Sequence, residues 1–222
     1  MGELRRRKRT EVTQRALGRS PLWHACGSRR AGLLLGQMTR IIAGSLKGRR
    51  LATPPGDRTR PTSDRVREAL FNSLAPGGDL DGLRFADLYA GSGAVGLEAL
   101  SRGAASALFV ESHVLTAKLL RRNISDLGVT GAEVICAPVE KALQNGPAEP
   151  FDIVFADPPY AVTDAAIADV LEALVANGWL ADDADVVVER GGKDASVPWP
   201  EKIAEDRVRR YGTTALCYGH AL

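Results

Sequence analysis

Cysteine is scarce in this chain. Three residues, Cys26, Cys136 and Cys217, are scattered through 222. Their number is odd and no CxxC pair occurs, which argues against a disulfide framework and points to a reducing, cytoplasmic compartment. Histidine is as rare and as dispersed (His24, His113, His220), so no metal-ligand spacing can be read. No apolar run is long enough to cross a bilayer, and Leu33-Leu34-Leu35 is too short for the core of a signal peptide. What is present is ordinary for one domain with an appendage: 45% hydrophobic residues, enough for a large core, and 25% charged residues.

The formal net charge of +2 hides a segregation. Residues 1–37 carry nine Lys/Arg against two acids, and residues 38–70 carry eight against three, whereas residues 71–222 carry twelve against twenty-two. Positive charge gathered at one end of an otherwise acidic chain is the footprint of a polyanion partner. Residues 1–37 open with Leu4-Arg5-Arg6-Arg7-Lys8-Arg9 and then lack periodicity, so this basic extension is expected to be disordered or poorly packed. Met38 opens the first patterned stretch and is an expected start of translation.

Arg40 to Leu51 reads as a β-hairpin around a glycine-containing turn, and Ser63 or Thr62 can cap a helix from Asp64 to Leu74. Val66, Ala69, Leu70 and Ser73-Leu74 are its expected buried face. From Arg84 onward, strand and helix alternate. Expected strands are Arg84–Tyr89, Ala107–Val110, Glu133–Cys136, Phe151–Ala156 and Asp185–Glu189, followed by an antiparallel pair, Ala204–Tyr211 and Thr213–His220. The glycine loop Gly91–Gly96 leads into an expected helix that runs to about Arg102, and further helices are expected at Ser112–Leu127, Val139–Gln144 and Thr163–Ala176. Apolar strands in βα alternation predict an α/β fold with a mostly parallel sheet covered on both faces. Cys136 and Cys217 fall in apolar strands and are expected in the core.

Two motifs carry chemistry. Gly91-x-Gly93-x-x-Gly96 follows a strand and opens a helix, and Glu111 ends the next strand, where an acid can accept from ribose hydroxyls. That pattern fits NAD and S-adenosylmethionine alike. Asp87, four residues before Gly91, opposes a pyrophosphate but suits a ligand with an amino group and a sulfonium. No nicotinamide half-domain follows, which also favours S-adenosylmethionine. The second motif, Asp157-Pro158-Pro159-Tyr160, ends the strand Phe151–Ala156. A carboxylate, a proline-flanked carbonyl and an aromatic ring at one strand tip suit a planar base with an exocyclic amine: two acceptors take its N–H groups and the ring stacks. A proline-rich turn with a half-buried tyrosine would look the same in isolation.

Asp87-Leu88-Tyr89-Ala90-Gly91-Ser92-Gly93 together with Asp157-Pro158-Pro159-Tyr160 resembles the class I S-adenosylmethionine-dependent methyltransferases of nucleobase amines. Arg40-Ile41-Ile42-Ala43-Gly44, Lys47-Gly48-Arg49, Arg60-Pro61-Thr62 and Arg65-Val66-Arg67-Glu68-Ala69-Leu70-Phe71-Asn72 narrow the resemblance to the bacterial 16S rRNA guanine-N2 methyltransferases, the RsmD family. It covers the chain from Met38 to about its end. It implies a Rossmann-like class I methyltransferase fold with a seven-stranded, mostly parallel sheet, helices on both faces, a reversed C-terminal hairpin and a small N-terminal β-hairpin/helix extension. Residues 38–75 would then dock RNA and residues 76–222 would hold S-adenosylmethionine and carry the transfer.

By position, the resemblance implies that Asp87, Gly91, Gly93 and Glu111 hold S-adenosylmethionine, with Ala137 near its adenine. Asp157 with a carbonyl of Pro158 or Pro159 would accept from the target amine and Tyr160 would stack on the base. Lys47, Arg49, Arg50, Arg58, Arg60 and Arg65 would contact phosphates. The implied partner is 16S rRNA in the 30S subunit or an assembly intermediate, met by a monomer without a membrane or a metal. A DNA amine methyltransferase shares the Asp-Pro-Pro-Tyr motif but normally needs a recognition domain for which this chain has no room. Cytosine-C5 chemistry needs a Pro-Cys pair where this chain has Pro-Pro. A non-catalytic nucleic-acid-binding protein of the same fold is the further alternative.

Overall fold

A computed structural model describes residues 38–54, 63–77, 79–192 and 195–222. The expected disorder of residues 1–37 lies outside them. Strands β1 (Met38–Arg40) and β2 (Arg50–Ala52) pair antiparallel, Arg40 opposite Arg50, and helix α1 (Asp64–Leu74) follows, with the Ser63 hydroxyl accepting from the Val66 N–H. Alternation then runs β3 (Arg84–Leu88), α2 (Ala94–Ser101), β4 (Ser106–Val110), α3 (Val114–Leu127), β5 (Ala132–Ile135), α4 (Val139–Ala142), β6 (Phe151–Ala156), α5 (Asp164–Ala176), β7 (Leu180–Gly191), β8 (Ile203–Tyr211) and β9 (Thr214–Ala221).

The larger sheet has the order β5-β4-β3-β6-β7-β9-β8, parallel through β7, with β9 antiparallel to both neighbours. The order reverses between β3 and β6, where open α/β sheets bind ligands. Alternate strand residues feed two cores. Phe85, Phe109, Ile153, Phe155, Val187 and Tyr218 meet α1, α2 and α3 on one face. Ala86, Leu88, Val154, Val186, Val188 and Cys217 meet α4 and α5 on the other. Burial on both faces is why these strands read as continuous apolar runs.

Helix stops follow local chemistry. Gly128 closes α3 in the left-handed conformation, and the Thr163 hydroxyl caps α5 by accepting from Ala166 N–H. β7 is longer than its apolar stretch predicts. It pairs with β6 from Leu180 onward, with a register shift between Phe151 and Ile153, and Asp183 takes a positive φ of 59° in the inserted stretch.

Two packing expectations are corrected. The buried face of α1 is Val66, Arg67, Leu70 and Phe71, not the face through Ala69 and Ser73. Arg67 is fully buried because β1 covers it: its guanidinium donates to Thr39 Oγ1 (3.1 Å), the Arg40 carbonyl (2.8 Å) and Asp64 Oδ1 (2.8 Å). Cys136 is exposed, one residue past the end of β5, so of the two cysteines among the described residues only Cys217 is in the core.

The hairpin belongs to the main core. Ile41 and Leu51 are fully buried with Leu70, Phe71 and Leu97. Its turn is held by α2: Glu98 accepts from the Ile42 and Ala43 N–H groups (2.7 and 2.9 Å) and from Arg102 Nε (2.9 Å). Ser101 Oγ donates to the Ala43 carbonyl and accepts from Leu46 N–H. Glu98 is fully buried, yet its carboxylate has three donors, which makes its charge tolerable there.

Candidate active site

A cavity of about 510 Å³ opens at the C-terminal edge of β3, β4, β6 and β7. The glycine loop forms one wall and the Asp157–Tyr160 turn faces it, so the two sequence motifs meet in one space. Thr53, Pro54 and Ser63, from the exit of the hairpin and the start of α1, also line it.

Asp87 is 2% exposed and its Oδ2 accepts from the Gly96 N–H at 2.9 Å. Burial pushes its carboxyl up to about 8, the Gly96 bond opposes that and the Glu111 charge adds to it. Glu111 is fixed by two backbone donors, Gly91 N–H to Oε2 (2.9 Å) and His113 N–H to Oε1 (2.7 Å). The loop between them needs its glycines. Gly93 has φ +80° and a Cβ there would lie 2.2 Å from Leu120 Cδ1, while one on Gly96 would lie 2.4 Å from the Phe109 ring. Gly91 and Ser92 line the cavity, whereas a Cβ on Gly93 or Gly96 would run into core side chains.

On the opposite wall, Asp157 is half-buried and its N–H donates to the Leu88 carbonyl at 3.3 Å, which ties the turn to β3. Pro158 is buried and Pro159 exposed. The Pro159 carbonyl accepts from Val162 N–H at 2.8 Å and so is already engaged in the turn. Tyr160 is 77% exposed and its ring lies on the backbone of Gly191, where a Cβ would come within 2.4 Å of Cε1. An exposed ring on a backbone shelf at a cavity mouth is an open stacking platform.

Other predicted residues sit apart from this space. Ala137 is half-buried and does not line the cavity; its neighbours Pro138, Val139 and Glu140 do. Lys47, Arg49, Arg50 and Arg65 are exposed, and Arg58 and Arg60 lie outside the described residues. Arg65 is two residues from the cavity-lining Ser63. The hairpin turn instead sits beside Ser101, at the far end of α2, and Arg49 Nη2 donates to the Asp126 carbonyl near the far end of α3 (2.7 Å). That carbonyl is roughly 18 Å along α3 from the helix start at the cavity edge.

Sequence reasoning missed several lining residues. Tyr89 holds a positive φ of 64° between Leu88 and Ala90, and its buried hydroxyl has no partner among the described residues. Burial, then the charge of Glu140, pushes that phenol up to about 12. Strain of this kind in a bulky residue marks a functional edge. Glu189, Arg190 and Gly191 at the end of β7 were also missed, because an apolar strand pattern gives no signal for its polar tip. Arg190 pairs with Asp164. Among the described residues, Asp87, Glu111, Glu140, Asp157 and Glu189 line the cavity with Arg190 as the one basic side chain. Such a lining favours a cationic ligand and opposes a pyrophosphate. No cluster that could hold a metal ion and no helix long and apolar enough to cross a membrane occurs among the described residues.

Comparison with known proteins agrees with this geometry. The family model described as Conserved hypothetical protein 95 matches residues 39–220. The ribosomal RNA small subunit methyltransferase D of Escherichia coli (strain K12) is 42% identical over 151 residues, covering 68% of this chain and 73% of that protein. The solved structure of yhhF from Escherichia coli superposes with a TM-score of 0.74 at 36% identity, covering 83% of this chain and 98% of that one. The magnesium protoporphyrin IX methyltransferase of Synechocystis PCC 6803, solved with bound SAM, shares the fold at a TM-score of 0.56 and 13% identity, over 71% of this chain and 79% of that one. The matched span takes in the hairpin, the glycine loop and the Asp-Pro-Pro-Tyr turn together, and the chain belongs to the Conserved hypothetical protein 95 family, that of the RsmD methyltransferases.

Proposed function

We propose that this protein methylates ribosomal RNA of the small subunit, using S-adenosylmethionine, at the exocyclic N2 of a guanine in 16S rRNA. The observation that carries the reading is the shared cavity: a buried acid, a glycine loop and Glu111 lie across from a carboxylate, a proline turn and an open tyrosine ring. Ribosomal RNA as acceptor is supported by family membership, and the guanine N2 by the resemblance of the hairpin and Arg-Pro-Thr segments.

The cavity fits the cofactor by charge. Asp87, Glu111 and the backbone of Gly91 and Ser92 would hold it, with Pro138 and Val139, just past Ala137, beside its adenine. When bound, it supplies an electrophilic methyl group on a sulfonium. The task left to the protein is alignment of the incoming nitrogen with that methyl. An aryl amine is a poor nucleophile because its lone pair is delocalised into the ring. Asp157 and the Pro158 carbonyl, the Pro159 carbonyl being held by Val162, would accept its two N–H bonds and localise the lone pair on nitrogen. Asp157 also favours the positive charge developing there. The methylated nitrogen then loses a proton to Asp157 or to water. Tyr160 would stack on the extruded base, and a loop nucleotide leaves its stack more cheaply than a paired one.

The test offers radiolabelled S-adenosylmethionine with unmethylated 30S particles, naked 16S rRNA and duplex DNA, followed by nuclease digestion. N2-methylguanine from either RNA sample is the expected product. Label only in DNA, or none despite cofactor binding, would sink the reading.

A further inference from the structure

Edge strand β8 sorts its charges by position. Glu205 and Asp206 come first, then Arg207, Arg209 and Arg210. The antiparallel register brings the basic half to the cavity edge: Arg210 is opposite Ala215, itself opposite Arg190, and Tyr211 is opposite Thr214, itself opposite Gly191. Gly191 is the shelf under the Tyr160 ring. Two strand spacings, about 10 Å, separate that shelf from Tyr211.

Arg207 is turned inward, with Nη2 donating to Ser73 Oγ (2.7 Å) and the guanidinium 4.4 Å from the centre of the Tyr218 ring. Arg209 and Arg210 are exposed, and as successive strand residues they project from opposite faces of the sheet edge. Charges of either sign blunt an edge strand against pairing with another chain, so that purpose does not explain why the signs are sorted. The cavity lining is acidic, and the end of β8, two strands along the same sheet edge, is basic. A nucleotide whose base enters at Tyr160 keeps its phosphates outside, where positive charge attracts them.

We propose that Arg209 and Arg210, at the cavity end of β8, form a phosphate-binding rail for the RNA that flanks the target nucleotide. The proposal rests on the rRNA reading above and extends it to a segment far in sequence from the hairpin and Arg65. The rail is nearer the reacting centre than the hairpin turn, whose Arg49 is engaged near the far end of α3.

The test compares wild type, the double variant Arg209→Ala/Arg210→Ala and Lys202→Ala, an exposed charge before the opposite end of β8. Methyl transfer to 30S particles and 16S rRNA is measured from about 50 to about 200 mM salt, with cofactor affinity by calorimetry. The double variant should raise KM for RNA about tenfold and lower the slope of log(kcat/KM) against log salt by about 1–2, leaving cofactor affinity and kcat at saturating RNA unchanged. Lys202→Ala should match wild type. An active wild type with unchanged KM and salt slope in the double variant overturns the rail alone, as does an equal loss in Lys202→Ala. A wild type inactive on both RNAs overturns the rRNA reading and the rail with it.

Discussion

Asp157 and Asp87 are both acids at strand ends, and their surroundings give them different work. Asp157 sits half-buried at the turn, facing the space a base amine would enter. Asp157→Ala should abolish methyl transfer while leaving S-adenosylmethionine affinity within a few-fold, a split read by calorimetry beside the labelling assay; near-normal turnover would remove Asp157 from the reaction. Asp87 is held protonated at neutral pH by burial, its carboxyl lying up at about 8. A cationic ligand favours the ionised form, so cofactor affinity should rise with pH, level off above about 8 and be accompanied by proton release, measured by calorimetry in buffers of different ionisation enthalpy. The stability effect has the opposite sign. Between the ordinary carboxyl range and about 8 the folded protein holds a proton that the unfolded chain has lost, so stability falls as pH rises across that window. Asp87→Asn should flatten both profiles.

Among the elements, α3 couples the hairpin to the glycine loop through one side chain. Asn123, 3% exposed, accepts from Ala52 N–H (3.0 Å) and donates to the Ala52 carbonyl (2.9 Å) and the Ser92 carbonyl (3.0 Å). Ser92 lines the cavity, and so does Thr53, the residue after Ala52. Asn123→Ala strands three backbone groups and should cost about 2–4 kcal/mol, read from the urea midpoint. It should also weaken cofactor binding, because two cavity walls lose their common anchor. Stability lost with cofactor affinity intact would make Asn123 a purely structural residue. Two helix signals that position this apparatus are local ones: Ser63 caps α1 and Gly128 closes α3, where a short polar residue and a glycine should, whereas Thr163, expected as the first residue of α5, is its cap. The buried face of α1 was not legible in the sequence. Arg67 reads as a solvent residue in any one-dimensional pattern, and only the arrival of β1 supplies its acceptors.

For the whole molecule, the hairpin is a wall of the core as well as a carrier of charge. Reading it as a detachable docking arm predicts that its removal spares cofactor binding. The packing leads to a different outcome. Deleting residues 38–52 would uncover Leu70, Phe71 and Leu97 and leave Glu98 and Asn123 without their hairpin partners. The truncated chain should lose cooperative unfolding and cofactor affinity together, so charge substitutions at Lys47, Arg50 and Arg65 are the informative test of RNA docking. Retained cofactor affinity in the truncated chain would restore the detachable arm.

The sequence by itself determined the βα alternation, the parallel sheet with its reversed C-terminal pair, and the two motifs at strand ends. Each is a local pattern: apolar runs of strand length, glycine where backbone must crowd a neighbour, and an acid followed by two prolines. Tertiary structure decided what depends on distant residues meeting. It buried Asp87 deeply enough to hold a proton. It moved Cys136 to the surface and Arg67 to the core. It set Tyr160 on Gly191, thirty-one residues later in the chain, and brought the basic end of β8 beside them. None of these has a signature in the linear order, because burial and charge proximity are properties of the packed sheet edge.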